Sequence, residues 1–129
     1  MRLTRQRKML LDLFDQGDKP LNAESLLERL PDGFMNLSTV YRNLDRFHQE
    51  GWLGQSVMEG RAYYYRNKEP HRHFMICLTC QKMVPVDCRL EAMAHQAAAR
   101  NHFQITHHDM TIYGYCRDCQ KLNAKSERK

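Results

Sequence analysis

Two Cys-x-x-Cys pairs, Cys77/Cys80 and Cys116/Cys119, are the residues of this 129-residue chain best suited to chemistry. Each pair can aim two thiolates at one point, and together they supply the corners of a tetrahedron at Zn–S distances of about 2.3 Å. In a reducing compartment thiolates bind zinc more readily than they form lasting disulfides. A thioredoxin-like redox motif, the alternative, needs one Cys-x-x-Cys opening a helix, whereas two pairs at strand ends suit a zinc knuckle. The spacing therefore predicts one structural Zn2+ per chain, fully ligated and closed to substrate. The fifth cysteine, Cys88, is expected to be a small buried hydrophobe rather than a ligand.

Histidines form the second constellation. His71 and His73 lie two apart, so on a strand both imidazoles leave the same face and can chelate a metal. His108 shares strand parity with Met110 and Ile112, where a buried imidazole needs either a metal or a hydrogen-bonding partner. Glu91, on a helix of the same unit, could complete a site of three nitrogens and one oxygen, with His95 one turn further on as its competitor. His48, His102 and His107 read as surface or core residues. Such a ligand set favours Zn2+, with Fe2+ and Mn2+ as alternatives. No nucleophile elbow, phosphate loop or His-Glu-x-x-His helix accompanies it, so the chain is not expected to be an enzyme.

These side chains must be held by a small amount of core. The hydrophobic fraction of 42% predicts a folded chain, and no apolar run approaches the roughly 20 residues that would cross a bilayer. Met1 to Arg5 leads into an amphipathic segment without the apolar stretch of a secretory signal, so a cytoplasmic location is expected, with neither membrane nor small-molecule substrate as partner. The net charge of +5 is compatible with nucleic acid, and Arg2, Arg5, Arg7 and Lys8 cluster ahead of the first acid, Asp12.

Apolar periodicity predicts a helix from Thr4 to Phe14, with Thr4 as its cap and Gly17 as its stop, and a second over Asn22–Leu30, ended by Pro31-Asp32-Gly33. A third runs from Ser38 to about Glu50. Trp52–Met58 and Ala62–Arg66 then read as a β-hairpin around Glu59-Gly60-Arg61. Helix, helix, helix and hairpin in this order describe a winged helix covering 1–66. A polar hinge spans 67–70. Short strands near 71–77, 82–87 and 104–113, with a helix from Arg89 to Arg100, make a second α+β unit over 71–122, followed by a polar tail at 123–129.

Along the third helix Val40, Leu44 and Phe47 share the face that must pack on the core. Thr39, Arg42, Asn43 and Arg46 fall outside that stripe. Arg and Asn can bond base edges, Thr and Tyr can reach phosphate or a thymine methyl, and the helix N-terminus attracts phosphate. A solvated face with i,i+4 pairs is the alternative.

Taken together, Leu3-Thr4-Arg5-Gln6-Arg7, Ser38-Thr39-Val40-Tyr41-Arg42, His71-Arg72-His73-Phe74-Met75-Ile76-Cys77-Leu78-Thr79-Cys80 and Tyr113-Gly114-Tyr115-Cys116 resemble the ferric uptake regulator family over nearly the whole chain. The resemblance implies a homodimeric repressor that binds a palindromic double-stranded DNA operator when metal is bound, through an N-terminal winged helix, and that pairs through a C-terminal dimerisation domain. It makes Tyr41 and Arg42 the expected base contacts and sets Arg5 and Arg7 near the backbone or minor groove. The family's interdomain sensing site would fall on Pro20, Tyr65, Arg72 and Phe74 and is missing, whereas a one-residue shift of register would put His71 and His73 there without its remaining ligands. Its site within the dimerisation domain would fall on His71, His73, Glu91 and His108. Two expectations follow. Either metal at this second site stabilises the DNA-competent dimer, in a zinc-responsive or an iron-responsive regulator, or the site is structural. In the second case the chain binds DNA constitutively, or serves as a zinc-stabilised protein-interaction module.

Overall fold

The computed structural model describes residues 1–17, 19–68 and 72–127, the last five as backbone alone. Its first half holds α1 (Arg5–Asp15), α2 (Ala23–Arg29) and α3 (Leu37–Gln49), then the hairpin β1 (Leu53–Met58) and β2 (Arg61–Arg66). Each helix starts where a side-chain oxygen accepts an otherwise orphaned amide. Thr4 accepts from Arg7 N–H at 3.2 Å, Asn22 from Ser25 N–H at 2.8 Å and Asn36 from Thr39 N–H at 2.8 Å, caps of about 1 kcal/mol each. The Asn36 cap explains why α3 begins at Leu37, one residue before the expected Ser38.

Glu59 and Gly60 both take positive φ, 54° and 73°, so a tight two-residue turn joins β1 to β2 and Arg61 pairs directly with Met58. Leu21 adds a third short strand through reciprocal 2.8 Å bonds with Tyr64. Leu10 and Phe14 of α1, Leu26 of α2, Val40, Leu44 and Phe47 of α3, and Leu53 and Tyr64 of the hairpin close one core. This is the expected winged helix.

The second half is β3 (Arg72–Cys77), β4 (Met83–Asp87), α4 (Glu91–Asn101), β5 (Thr111–Gly114) and α5 (Arg117–Glu127). The sheet order is β4-β3-β5, with β3 antiparallel to β4 and parallel to β5. The chain is therefore α+β. One expectation is corrected here. The strand predicted over 104–113 is regular only from Thr111, because Asp109 is drawn off the ladder by the Gln55 N–H at 3.1 Å and by His48 at 2.6 Å. The start of the polar tail continues α5 as far as Glu127, a helix whose first turn is fixed by the buried Cys119 and by Gln120 N–H donating to Cys116 O at 2.9 Å.

The two halves touch along β1 and β5. Thr111 Oγ1 donates to Ser56 Oγ at 3.0 Å, and the Tyr113 hydroxyl donates to the Val57 carbonyl. Elsewhere the second half is poorly covered. α4 buries none of its residues, and Met75, Val84 and Ile112, neighbours across three strands, are all more than 40% exposed.

Leu44 is fully buried on the face of α3 that meets α1, α2 and the hairpin. Leu44→Ala should cost about 2–5 kcal/mol, read as a lower midpoint in urea with the slope unchanged.

Candidate metal centres and nucleic-acid interface

The four cysteines converge from three elements. Cys77 ends β3, Cys80 closes the turn that follows, Cys116 leaves β5 and Cys119 lies in the first turn of α5. The second pair therefore opens a helix rather than ending a strand. Their sulfurs lie within 4.8 Å of one another, and Cys80 Sγ is 3.8 Å from Cys116 Sγ. A tetrahedron with bonds of about 2.3 Å has edges of about 3.8 Å, so the arrangement fits a zinc ion with four thiolates and does not fit disulfides.

Backbone direction explains how so many sulfurs are tolerated. Amides of Cys116, Cys80 and Thr79 point at Cys77, the first at 3.4 Å from Sγ, and lower its pKa to about 5. The remaining sulfurs cannot all ionise beside that charge. Contact with Cys116 and then burial push Cys119 up to about 12, and Cys80 is also raised, by its Cys77 neighbour and by burial, against an opposing backbone bond from Lys82. Without metal Cys77 carries a charge while Cys80 and Cys119 keep their protons.

A second cluster lies toward the other end of β3. His73, only 1% exposed, sets Nε2 3.1 Å from Nε2 of His108, and Cys88 Sγ lies 3.3 Å from the same His108 nitrogen. Two nitrogens at about 2.05 Å from a tetrahedral metal stand about 3.3 Å apart, so this triad also has the dimensions of a site. Cys88, expected to be a buried filler, is half-buried with its sulfur in the triad. Adjacency across the fold, rather than sequence spacing, is the signal that finds it. His71 lies outside the described residues. Glu91 sits in the first turn of α4 and lines, with His95, His107 and His108, a cavity of about 290 Å³, while its carboxylate falls outside the set of donors within 4.8 Å of one another. The strand-parity argument for His108 fails, since that residue precedes β5.

Tyr65 holds the inner wall of this cluster. Its buried hydroxyl lies 3.4 Å from His73 Nδ1, and burial raises its pKa to about 12, which keeps it a neutral phenol and an orienting group rather than a ligand. In the tautomer that carries its proton on Nδ1 the hydroxyl accepts, and His73 Nε2 keeps a lone pair for metal. The ring can lie there because its cross-strand partner is Gly54, where a Cβ would stand 2.4 Å from the Tyr65 ring.

The candidate DNA face is built on α3. Ser38, Tyr41, Arg42 and Arg46 are exposed on it and Thr39 is half-buried. Tyr41 Oη donates to Glu24 at 2.9 Å, a bond that raises the phenol pKa, while a backbone bond and then this one lower that of Glu24. Arg42 reaches Thr39 Oγ1 at 3.2 Å, and Arg46 pairs with Glu50 at 3.1 Å. Asn43, expected among the base-contacting residues, has its amide engaged: it accepts from Arg7 Nε at 3.1 Å and donates to Thr39 O at 3.0 Å. This pair ties α1 to α3. Arg5 lies over the Phe34 ring at 5.8 Å. A polar groove of about 490 Å³ runs between α1 and α3, floored by Arg7 and Asn43 and flanked by Arg2, Arg42 and Arg46.

Two consequences can be measured. Because Cys80 and Cys119 are protonated at neutral pH and must lose their protons to bind metal, zinc affinity at the four-cysteine site should rise at least about a hundredfold per pH unit around pH 7 and be lost on acidification. Competition with a chromophoric chelator at several pH values reads this, and a flat profile contradicts it. Gly54→Ala should displace the Tyr65 ring, weakening metal at the His73 cluster by about 10–100-fold while leaving the four-cysteine zinc bound.

The sequence model of the ferric uptake regulator family matches residues 1–113. The ferric uptake regulation protein of Neisseria gonorrhoeae is 32% identical over 99% of this chain and 90% of its own length. Among solved structures, the Vibrio cholerae ferric uptake regulator superposes with a TM-score of 0.61 at 26% identity, covering 90% of this chain and 92% of that one. A zinc uptake regulator from Mycobacterium tuberculosis superposes at 0.50 with 29% identity, over 89% and 92%. A winged helix tied to a metal-clustering α+β unit and a match that runs through both halves lead to one assignment: the chain belongs to the ferric uptake regulator family of metal-dependent, DNA-binding transcription regulators.

Proposed function

We propose that the protein is a zinc-responsive repressor of metal-homeostasis genes that binds a palindromic operator as a homodimer. The observation that carries the choice of metal is Cys88. A thiolate beside His73 and His108 makes the second site softer than one of imidazole and carboxylate alone, and soft ligands favour zinc over Fe2+ or Mn2+. His73, Cys88 and His108 are its proposed ligands. His71, two residues before His73, is the proposed fourth, with Glu91 at the cavity edge as the carboxylate alternative. Structural Zn2+ occupies Cys77, Cys80, Cys116 and Cys119.

Dimerisation is supported by the uncovered row Met75, Val84 and Ile112, since a contiguous apolar face on a sheet with two open edges favours a second copy. Operator contact is assigned to Tyr41, Arg42, Thr39, Ser38 and Arg46, with Arg5 at the backbone and Arg7 and Asn43 bracing α3 against α1. The division at 67–70 between DNA-binding and dimerisation domains follows from this reading. An iron-responsive regulator is the second reading, favoured by relatives at 30–32% identity that are ferric uptake regulation proteins.

Titration of a promoter fragment with Zn2+ and with Fe2+ separates the two readings. Zinc should tighten binding more than iron does, and Cys88→Ser should cut that zinc response by at least about tenfold. Arg42→Ala should lose about 1–3 kcal/mol of operator affinity. A Cys88→Ser protein with the wild-type zinc response favours the iron reading, and operator binding independent of any metal overturns both.

A further inference from the structure

A third set of ligating side chains lies where the two halves meet, beside the second centre and sharing none of its ligands. His48 is the penultimate residue of α3, while His107 and Asp109 sit on the irregular segment ahead of β5. One donor atom from each lies within 4.8 Å of the other two. His48 Nε2 is 2.6 Å from Asp109 Oδ2, and the His48 and His107 rings meet edge to face at 4.8 Å between centroids. The outer oxygen of Asp109 is fixed by Gln55 N–H at 3.1 Å, and Thr106 Oγ1, 3.0 Å from His107 Nδ1, steadies that ring.

We propose that His48, His107 and Asp109 form a third divalent-metal site, of zinc type, that clamps the end of α3 to the segment ahead of β5. Two imidazoles and one carboxylate are a common zinc donor set, with the fourth position left to water. The C-terminal end of a helix favours positive charge, and His48 stands in the last turn of α3. Access exists through the cavity of about 290 Å³ lined by Gly51, Asn67, Glu91 and His107. The backbones are also shaped for close approach. Gly51 takes φ +78°, and a Cβ there would stand 3.2 Å from Thr106 O.

Insertion of the ion has a mechanical consequence. Ligands at about 2.0–2.1 Å from a tetrahedral metal stand about 3.3 Å apart, so the 2.6 Å contact between His48 and Asp109 must open by somewhat under about 1 Å. The ion replaces a direct hydrogen bond by a bridge and fixes the angle of α3 to the second half. Metal thereby acts on the helix assigned to the operator, and only to the extent that it binds the clamped state better than the open one. That last step rests on the operator reading, whereas the site itself does not.

The test uses the full-length protein without DNA. Equilibrium dialysis against Zn2+ should show one equivalent per subunit fewer for His107→Ala and for Asp109→Asn than for wild type, with the four-cysteine zinc retained in both. Hydrogen exchange followed by mass spectrometry should show Zn2+ slowing amide exchange across 46–51 in wild type and not in Asp109→Asn. Wild-type stoichiometry in either variant, or no zinc-dependent slowing in the wild-type protein, overturns the site and leaves a plain His48–Asp109 hydrogen bond. Should a variant fail to fold, the wild-type exchange measurement still decides. Zinc-dependent slowing and the expected loss of one equivalent in a protein that binds no promoter fragment would instead keep the site and count against the operator reading alone.

Discussion

Four sulfurs brought within 4.8 Å of one another in a small unit with little core make a constraint that chain folding alone does not satisfy. Amides pointing at Cys77 stabilise its negative charge, and Cys80 and Cys119 keep their protons beside it until a divalent cation supplies the balance. Once the cation is bound, the end of β3, the turn to β4, the exit from β5 and the start of α5 are tied at one point. Small units of this size lean on such staples because apolar burial cannot offset the chain entropy on its own. The uncovered faces of α4 and of the sheet mark the same deficit, made up in the proposed homodimer by a second copy.

The staple also fixes what β3 carries. With Cys77 pinned, strand geometry sets His73 four residues upstream, buried against Tyr65 of the wing and facing His108. Gly54 admits the Tyr65 ring, so the second metal cluster leans on the DNA-binding half without drawing ligands from it. The link between halves is thus physical, and among the described residues it includes Tyr65 against His73, Thr111 and Tyr113 against β1, and Asp109 against His48 and Gln55. These contacts reach α3 through the core that Tyr64 and Leu53 of the hairpin complete, and the proposed metal response would act along them.

Sequence by itself determined the local features. Thr4 and Asn22 cap because an oxygen one residue ahead of a helix meets its orphan amides, and Val40, Leu44 and Phe47 face inward because a 3.6-residue period leaves no other choice. The two Cys-x-x-Cys pairs announced a tetrahedral thiolate cluster from their spacing, and the motifs running through both halves announced the family.

Tertiary structure decided what depends on distance between residues far apart in the chain. Cys88, Asn43 and His107 carry no local signal, since their roles arise from partners 20, 36 and 59 positions away, as with Cys88 and His108, Arg7 and Asn43, or His48 and His107. The strand expected over 104–110 gave way because a carboxylate bonded to another element outweighs β propensity, which is weak and context-dependent. Helix α5 runs on into the tail from a first turn whose Cys119 is buried among sulfurs that no local pattern brings together. Periodicity and spacing report what a segment does with its own neighbours; which groups meet across the fold is set by packing, and the ligands of the second and third clusters are assembled at that level.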